Sequence, residues 1–131
     1  MKNTTLTLKA LLLTALLTLS FSFAQTLTGT FEGADAGHQG AGSFQLIEED
    51  GQRIIEFSED FSSTRGPDLF VWLTNGDDVE ERVNLGRLQS AGGTQRYTLP
   101  EEVNLDDFDR VIIWCRAFRV LFSTAEFERA Q

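Results

Sequence analysis

The sequence predicts an all-β protein, a single antiparallel β-sandwich or jelly-roll-like domain of about seven to eight strands. Three observations carry that expectation. Apolar and polar residues alternate at period two in short segments, turn signals rich in Gly, Asp and Asn separate those segments, and no stretch after residue 24 keeps a helical period over three turns.

The first 24 residues are read separately. Lys2 and Lys9 precede an apolar run from Ala10 to Leu19, and Ser22-Phe23-Ala24 places small residues at both positions read by signal peptidase. Residues 1–24 are therefore expected to be a cleaved signal peptide and 25–131 the mature domain. The apolar run is too short for a membrane span and no second one follows, so no transmembrane segment is expected in the mature chain. The expected location is outside the cytoplasm, whether periplasmic, cell-surface or secreted.

Charge narrows the partners. Of 11 Lys and Arg, two lie in the signal segment, while none of the 20 Asp and Glu do, so removing it takes the formal charge from −9 to −11. A phosphate backbone would be repelled, and no basic stripe with interleaved aromatics appears, so nucleic acid is not an expected partner. The chain has one cysteine, which excludes an internal disulfide and leaves the fold to its hydrophobic core.

Taken in order, Thr26 to Glu32 reads as the first strand, with Leu27 and Phe31 on one alternation and Gly29 between them. Gly33 to Gly42 is a glycine-rich loop carrying His38, the only histidine. Ser43 to Glu48 alternates through Phe44 and Leu46, and Glu49-Asp50-Gly51-Gln52 turns the chain into Arg53 to Ser58, so these two strands are expected to pair. After the loop Asp60 to Pro67, the continuous apolar run Leu69 to Leu73 reads as a strand buried on both faces. Asn75-Gly76-Asp77-Asp78 is a turn, and Glu80 to Gly93 reads as irregular with a short strand around Val83 and Leu85. Thr94 to Leu99 is a further strand stopped by Pro100, and Asn104 to Phe108 is a turn.

Arg110 to Phe122 is the stretch the chain is built around. Val111, Ile113 and Cys115 share one face and Ile112 and Trp114 the other, which predicts a central strand with both faces covered. Past Ala117, Phe118, Val120 and Phe122 alternate against Arg119, Leu121 and Ser123, which predicts a hairpin partner with one wetter face. The tail from Thr124 either adds an edge strand around Phe127 or frays.

The blocks T-G-T-F-E at 28 to 32, H-Q-G-A-G at 38 to 42, G-P-D-L-F-V-W-L at 66 to 73, N-L-G-R-L at 84 to 88, Q-R-Y-T-L-P at 95 to 100 and V-I-I-W-C-R-A-F-R-V-L-F at 111 to 122 come in the order of the DM-thirteen domain. The chain resembles that family over nearly all of the mature region. The resemblance implies a β-rich extracellular domain of the kind found beside DOMON domains, with an electron-transfer role and a redox cysteine acting as a bare thiol or as a ligand to a group such as haem. Cys115 matches that cysteine. No DOMON-like segment accompanies it here, so the implied redox partner is a separate protein.

The residues leave the chemistry of Cys115 open. Walled in by Val111, Ile113 and Trp114 it would be an inert small hydrophobe, whereas open to solvent beside Arg116 its thiolate would be favoured. His38 could serve with Cys115 as a cofactor ligand, or could fix its own loop by a hydrogen bond. A single histidine makes no metal-ligand spacing, and neither C-x-x-C-H nor a C-x-x-C pair is present.

Other candidates are weaker. Asp68 is expected to cap the turn into its strand, and Asp77, Asp78, Glu80 and Glu81 lack the alternation of a calcium loop. No G-x-S-x-G occurs, and Trp72, Trp114 and Tyr97 read as core. A stand-alone enzyme is not expected. The rival to electron transfer is an extracellular module that binds a ligand or protein through the Gly33 to Gly42 and Asp60 to Pro67 loops, with Cys115 purely structural.

Overall fold

A computed structural model describes residues 26–130, and the signal-peptide expectation for residues 1–24 lies outside them. Eleven strands follow one another: β1 (Thr26–Gly33), β2 (Gly40–Ala41), β3 (Ser43–Glu49), β4 (Gln52–Phe57), β5 (Ser62–Ser63), β6 (Leu69–Asn75), β7 (Asp78–Arg87), β8 (Gln95–Thr98), β9 (Arg110–Cys115), β10 (Val120–Glu126) and β11 (Glu128–Ala130). A 3-10 turn, Leu105–Asp107, leads into β9 and is capped by the Asn104 side chain, which accepts from the Asp106 amide.

The main sheet is antiparallel and curled, in the order β7-β6-β9-β10-β1-β3-β4-β8, with β11 also paired to β1. Strand β1 is the joint between its two halves. Its first residues pair with β3 and β11, and Phe31 to Gly33 pair with β10. Gly29 makes the bend compact, because a Cβ there would lie 2.6 Å from the Glu126 carbonyl and would strike the Phe44 ring. Strands β2 and β5 form a separate two-stranded ribbon.

Curling brings one face of both halves together around a phenylalanine-rich core. Phe31 packs edge-on against Phe57 and Phe61, with centroids 4.9 and 5.0 Å away, and Leu27, Ile55, Val71, Leu73, Val111 and Ile113 fill the rest. Strands β7 and β8 end the strand order without pairing. The loop after β7 ties to β8 through side chains: the Gln89 amide donates to the Tyr97 hydroxyl at 2.9 Å, and Gln89 Nε2 donates to the Arg96 carbonyl.

Most expected elements stand where the pattern put them. The β3–β4 hairpin turns at Asp50-Gly51, both left-handed, and β6 is buried from Leu69 to Thr74. Strand β9 is central, between β6 and β10, with Cys115 opposite Leu69 on one side and Val120 on the other.

Two expectations are corrected. The short strand expected around Val83 and Leu85 extends over the ten residues of β7, leaving only residues 88 to 94 outside a strand, because edge strand β7 bonds through its backbone to β6 while most of its side chains face water. Phe118 is not on β10: it lies in the four-residue turn Arg116–Arg119, is 67% exposed, and is followed by left-handed Arg119. A bulge between Leu121 and Ser123 then inserts Phe122 as an extra residue, so Phe122 and Ser123 are both buried rather than alternating. The tail does form an edge strand, β11.

Candidate functional site

Period two along β9 turns Cys115 into the core with Val111 and Ile113, and turns Arg116 to the opposite, outer face. Cys115 is a free cysteine with no exposed surface. Its backbone environment is equally closed, because Arg116 N–H continues the ladder to the Asp68 carbonyl at 3.0 Å. Cys115 is the last residue of β9, and the exposed turn Arg116–Arg119 follows it directly.

Arg116 does not serve the thiol. Its guanidinium pairs with Asp68 at 3.2 Å and lies over the Phe70 ring, 4.5 Å from the centroid. Asp68 also meets Arg87 at 3.0 Å, and Arg87 covers the same ring. The expected turn-capping Asp68 is thus also a clamp between two arginines that roof the outer face, a role with no local signal because Arg87 ends β7 and Arg116 opens the turn after β9.

His38 sits at the edge of the glycine-rich loop. Its Nδ1 is 2.8 Å from Asp35 Oδ1, which also accepts the Gly37 amide, and its ring packs on Phe122 at 4.4 Å. The hydrogen bond from His38 holds the Asp35 carboxyl below its ordinary value, ahead of a smaller opposing effect of burial. Phe122 belongs to the same core cluster as Cys115, so this ring stands between the histidine at the surface and the core. Among the described residues no hydrogen bond joins His38 to Cys115, and no group of three or more His, Cys, Asp or Glu is placed to hold a metal ion.

A haem held through Cys115 does not fit this arrangement. A porphyrin requires an open slot beside the ligating atom, and Cys115 is fully enclosed, between Leu69 and Val120 on the neighbouring strands. Cys115 is thus placed as a bare sulfur enclosed by the core.

The outer face of the sheet carries a second apolar cluster, and the expected core residues Trp72 and Trp114 belong to it. Trp72 on β6 and Trp114 on β9 stack with centroids 5.5 Å apart and planes inclined by 23°, and Arg82 covers Trp72 at 4.2 Å. Phe70, Trp72 and Ile112 make a second buried cluster here, with Val79, Trp114 and Leu121 packed against it. Beside it lies a cavity of about 270 Å³ bordered by Val79, Arg110, Ile112, Trp114, Leu121 and Thr124. The spacing of Phe70 with Trp72 and of Ile112 with Trp114 places each pair on one face of its strand, but only the β6–β9 pairing sets the two faces side by side.

No helix among the described residues is long and apolar enough to cross a membrane. No curated protein and no solved structure matches the chain. A family model described as electron transfer DM13 matches residues 30–127, from the middle of β1 to the residue between β10 and β11. With the match spanning every strand of the curled sheet except β11, and Cys115 lying within it, the chain belongs to the electron-transfer DM13 family.

Proposed function

We propose that this domain passes electrons to or from a separate redox protein outside the cytoplasm, with Cys115 as its redox group and the tip of the β9–β10 hairpin as the gate to the sulfur. The observation that carries this reading is the position of Cys115, which is fully buried yet is the last residue of β9, one step from an exposed turn. Burial shields the thiol from adventitious oxidants while the hairpin is closed. Opening the last rung, Cys115 with Val120, uncovers it, and fraying at a strand end costs less than global unfolding. Phe118, exposed at that same tip, offers a partner an apolar handle. The Cys115 thiolate then attacks a partner disulfide and one partner sulfur leaves as thiolate; a thiolate of a second, dithiol-bearing redox protein attacks the Cys115 sulfur and releases the other partner sulfur, and that protein's second thiolate frees Cys115 as its own disulfide closes, so two electrons pass from the dithiol to the partner disulfide. Membership in an electron-transfer family supports the redox part of this reading.

Alkylation by iodoacetamide in increasing sub-denaturing urea tests the gate. The expected result is labelling of the native protein through an opening far less urea-sensitive than global unfolding, together with loss of electron exchange in Cys115→Ala. Labelling that follows only global unfolding, with electron exchange kept in Cys115→Ala, would sink the proposal. That outcome would favour the second reading, a ligand-binding module with a structural cysteine, which the zero exposure of Cys115 and the cavity on the opposite face of the sheet also support.

A further inference from the structure

The outer-face cavity combines flat, apolar and donor surfaces in a way the redox reading of Cys115 does not use. Trp114, backed by the stacked Trp72, supplies an aromatic wall, and Val79, Ile112 and Leu121 supply aliphatic ones. At about 270 Å³ the cavity is below the usual range for drug-sized ligands, which limits an occupant to one or two rings.

Its polar side chains are Arg110, Thr124 and the Asp77 carboxylate, which disfavours a second anion there. Arg110 borders the cavity and has only N–H groups to offer. Asp109 holds it in place at 2.8 Å, and Asp109 in turn accepts the Gly76 amide from the far end of the cavity. Thr124, facing outward beside Ile112, has a buried hydroxyl with no hydrogen-bond partner, and the Trp72 indole N–H of the same layer is likewise buried without a partner. Buried polar groups are nearly always satisfied, so the orphan hydroxyl of Thr124, which unlike Trp72 borders the cavity, points to a missing acceptor. The acceptor is not a strong anion, because Asp109, with Glu126 at 3.7 Å, already balances the Arg110 charge.

We propose that this cavity is a binding site for a flat one- or two-ring molecule carrying a neutral carbonyl oxygen, stacked on Trp114 with its oxygen facing Thr124 and Arg110. The site is on the opposite sheet face from Cys115 and does not depend on that residue's chemistry.

Titration of the isotope-labelled domain with 1-indanone, indane and naphthalene-2-carboxylate, followed by amide and indole NMR shifts, tests it. The expected result is saturable shifts for 1-indanone at Trp114, Ile112, Leu121 and Thr124, with affinity about tenfold above that of indane, the factor a single satisfied hydrogen bond can supply. Thr124→Val should bring 1-indanone down toward indane while leaving indane unchanged, and its removal of an orphan hydroxyl keeps the variant folded. The proposal is overturned if 1-indanone gives no saturable shifts at low-millimolar concentration, if the shifts fall elsewhere, if indane binds as tightly, or if the carboxylate binds more tightly than the ketone.

Discussion

Cys115 and Arg116, adjacent in the chain, face opposite sides of the sheet: the sulfur is enclosed in the phenylalanine-rich core, while the guanidinium reaches Asp68 and the Phe70 ring on the outer face. The nearest positive charge in sequence is therefore separated from the thiol by the sheet itself.

This geometry sets the response of Cys115 to substitution. Cys115→Ala should cost about 1 kcal/mol for a small cavity. Cys115→Ser should cost more, about 1–3 kcal/mol, because it places a hydroxyl among apolar neighbours without a partner. Urea unfolding of the three proteins checks the order, and a serine variant as stable as the alanine one would mean that the sulfur has a polar neighbour.

Tyr97, the single tyrosine, reports alkaline stability. Its buried hydroxyl donates to Gln95 Oε1 at 2.5 Å and accepts the Gln89 amide, and burial pushes its pKa up to about 12, the amide opposing the shift. A raised folded-state value means that the stability it contributes is intact below its ordinary value of 10.0 and is lost as pH rises toward 12. Phenolate absorbance should accordingly appear only well above pH 10.0 in the folded protein. Tyr97→Phe should lower stability by about 1–2 kcal/mol, since the Gln89 amide then loses its acceptor.

On the acid side Asp109 is the group to follow. The Arg110 hydrogen bond, more than the Gly76 amide, holds its carboxyl below the ordinary 3.8, against a raising effect of burial. A depressed folded-state value contributes stability above 3.8 that is lost as pH falls through the folded value. Because Asp109 is 47% exposed, the effect is small, under about 1 kcal/mol. Asp109→Asn should flatten the fall in melting temperature below pH 4 without moving the alkaline limb, and an unchanged acid limb would assign that fall to other carboxylates.

Gly42, between β2 and β3, should tolerate no side chain. Its φ of +86° is a left-handed value, and a Cβ would lie 2.5 Å from the Phe61 Cα. Gly42→Ala combines backbone strain with a collision against main chain, so a loss of about 2–4 kcal/mol is expected in thermal or urea unfolding. A loss under about 1 kcal/mol would show that the Asp60-Phe61 segment yields.

Period-two alternation determined which residues of this chain face the core, because a strand's side chains alternate whatever its neighbours are. Leu69 to Leu73, Val111 to Cys115, and Phe44 and Leu46 against Ile55 and Phe57 were legible for that reason, as was the Asp50-Gly51 turn. Edge strand β7 was not fully legible, since an exposed strand held by backbone bonds needs no apolar alternation. The bulge at Phe122 was hidden too, because one inserted residue shifts the phase without changing composition. Only the tertiary structure decided strand order, and with it the Trp72–Trp114 stack, the Asp68 clamp on Arg87 and Arg116, and the enclosure of Cys115. Those relationships join residues far apart in sequence, and the period of a strand says which way a side chain points but not what meets it there.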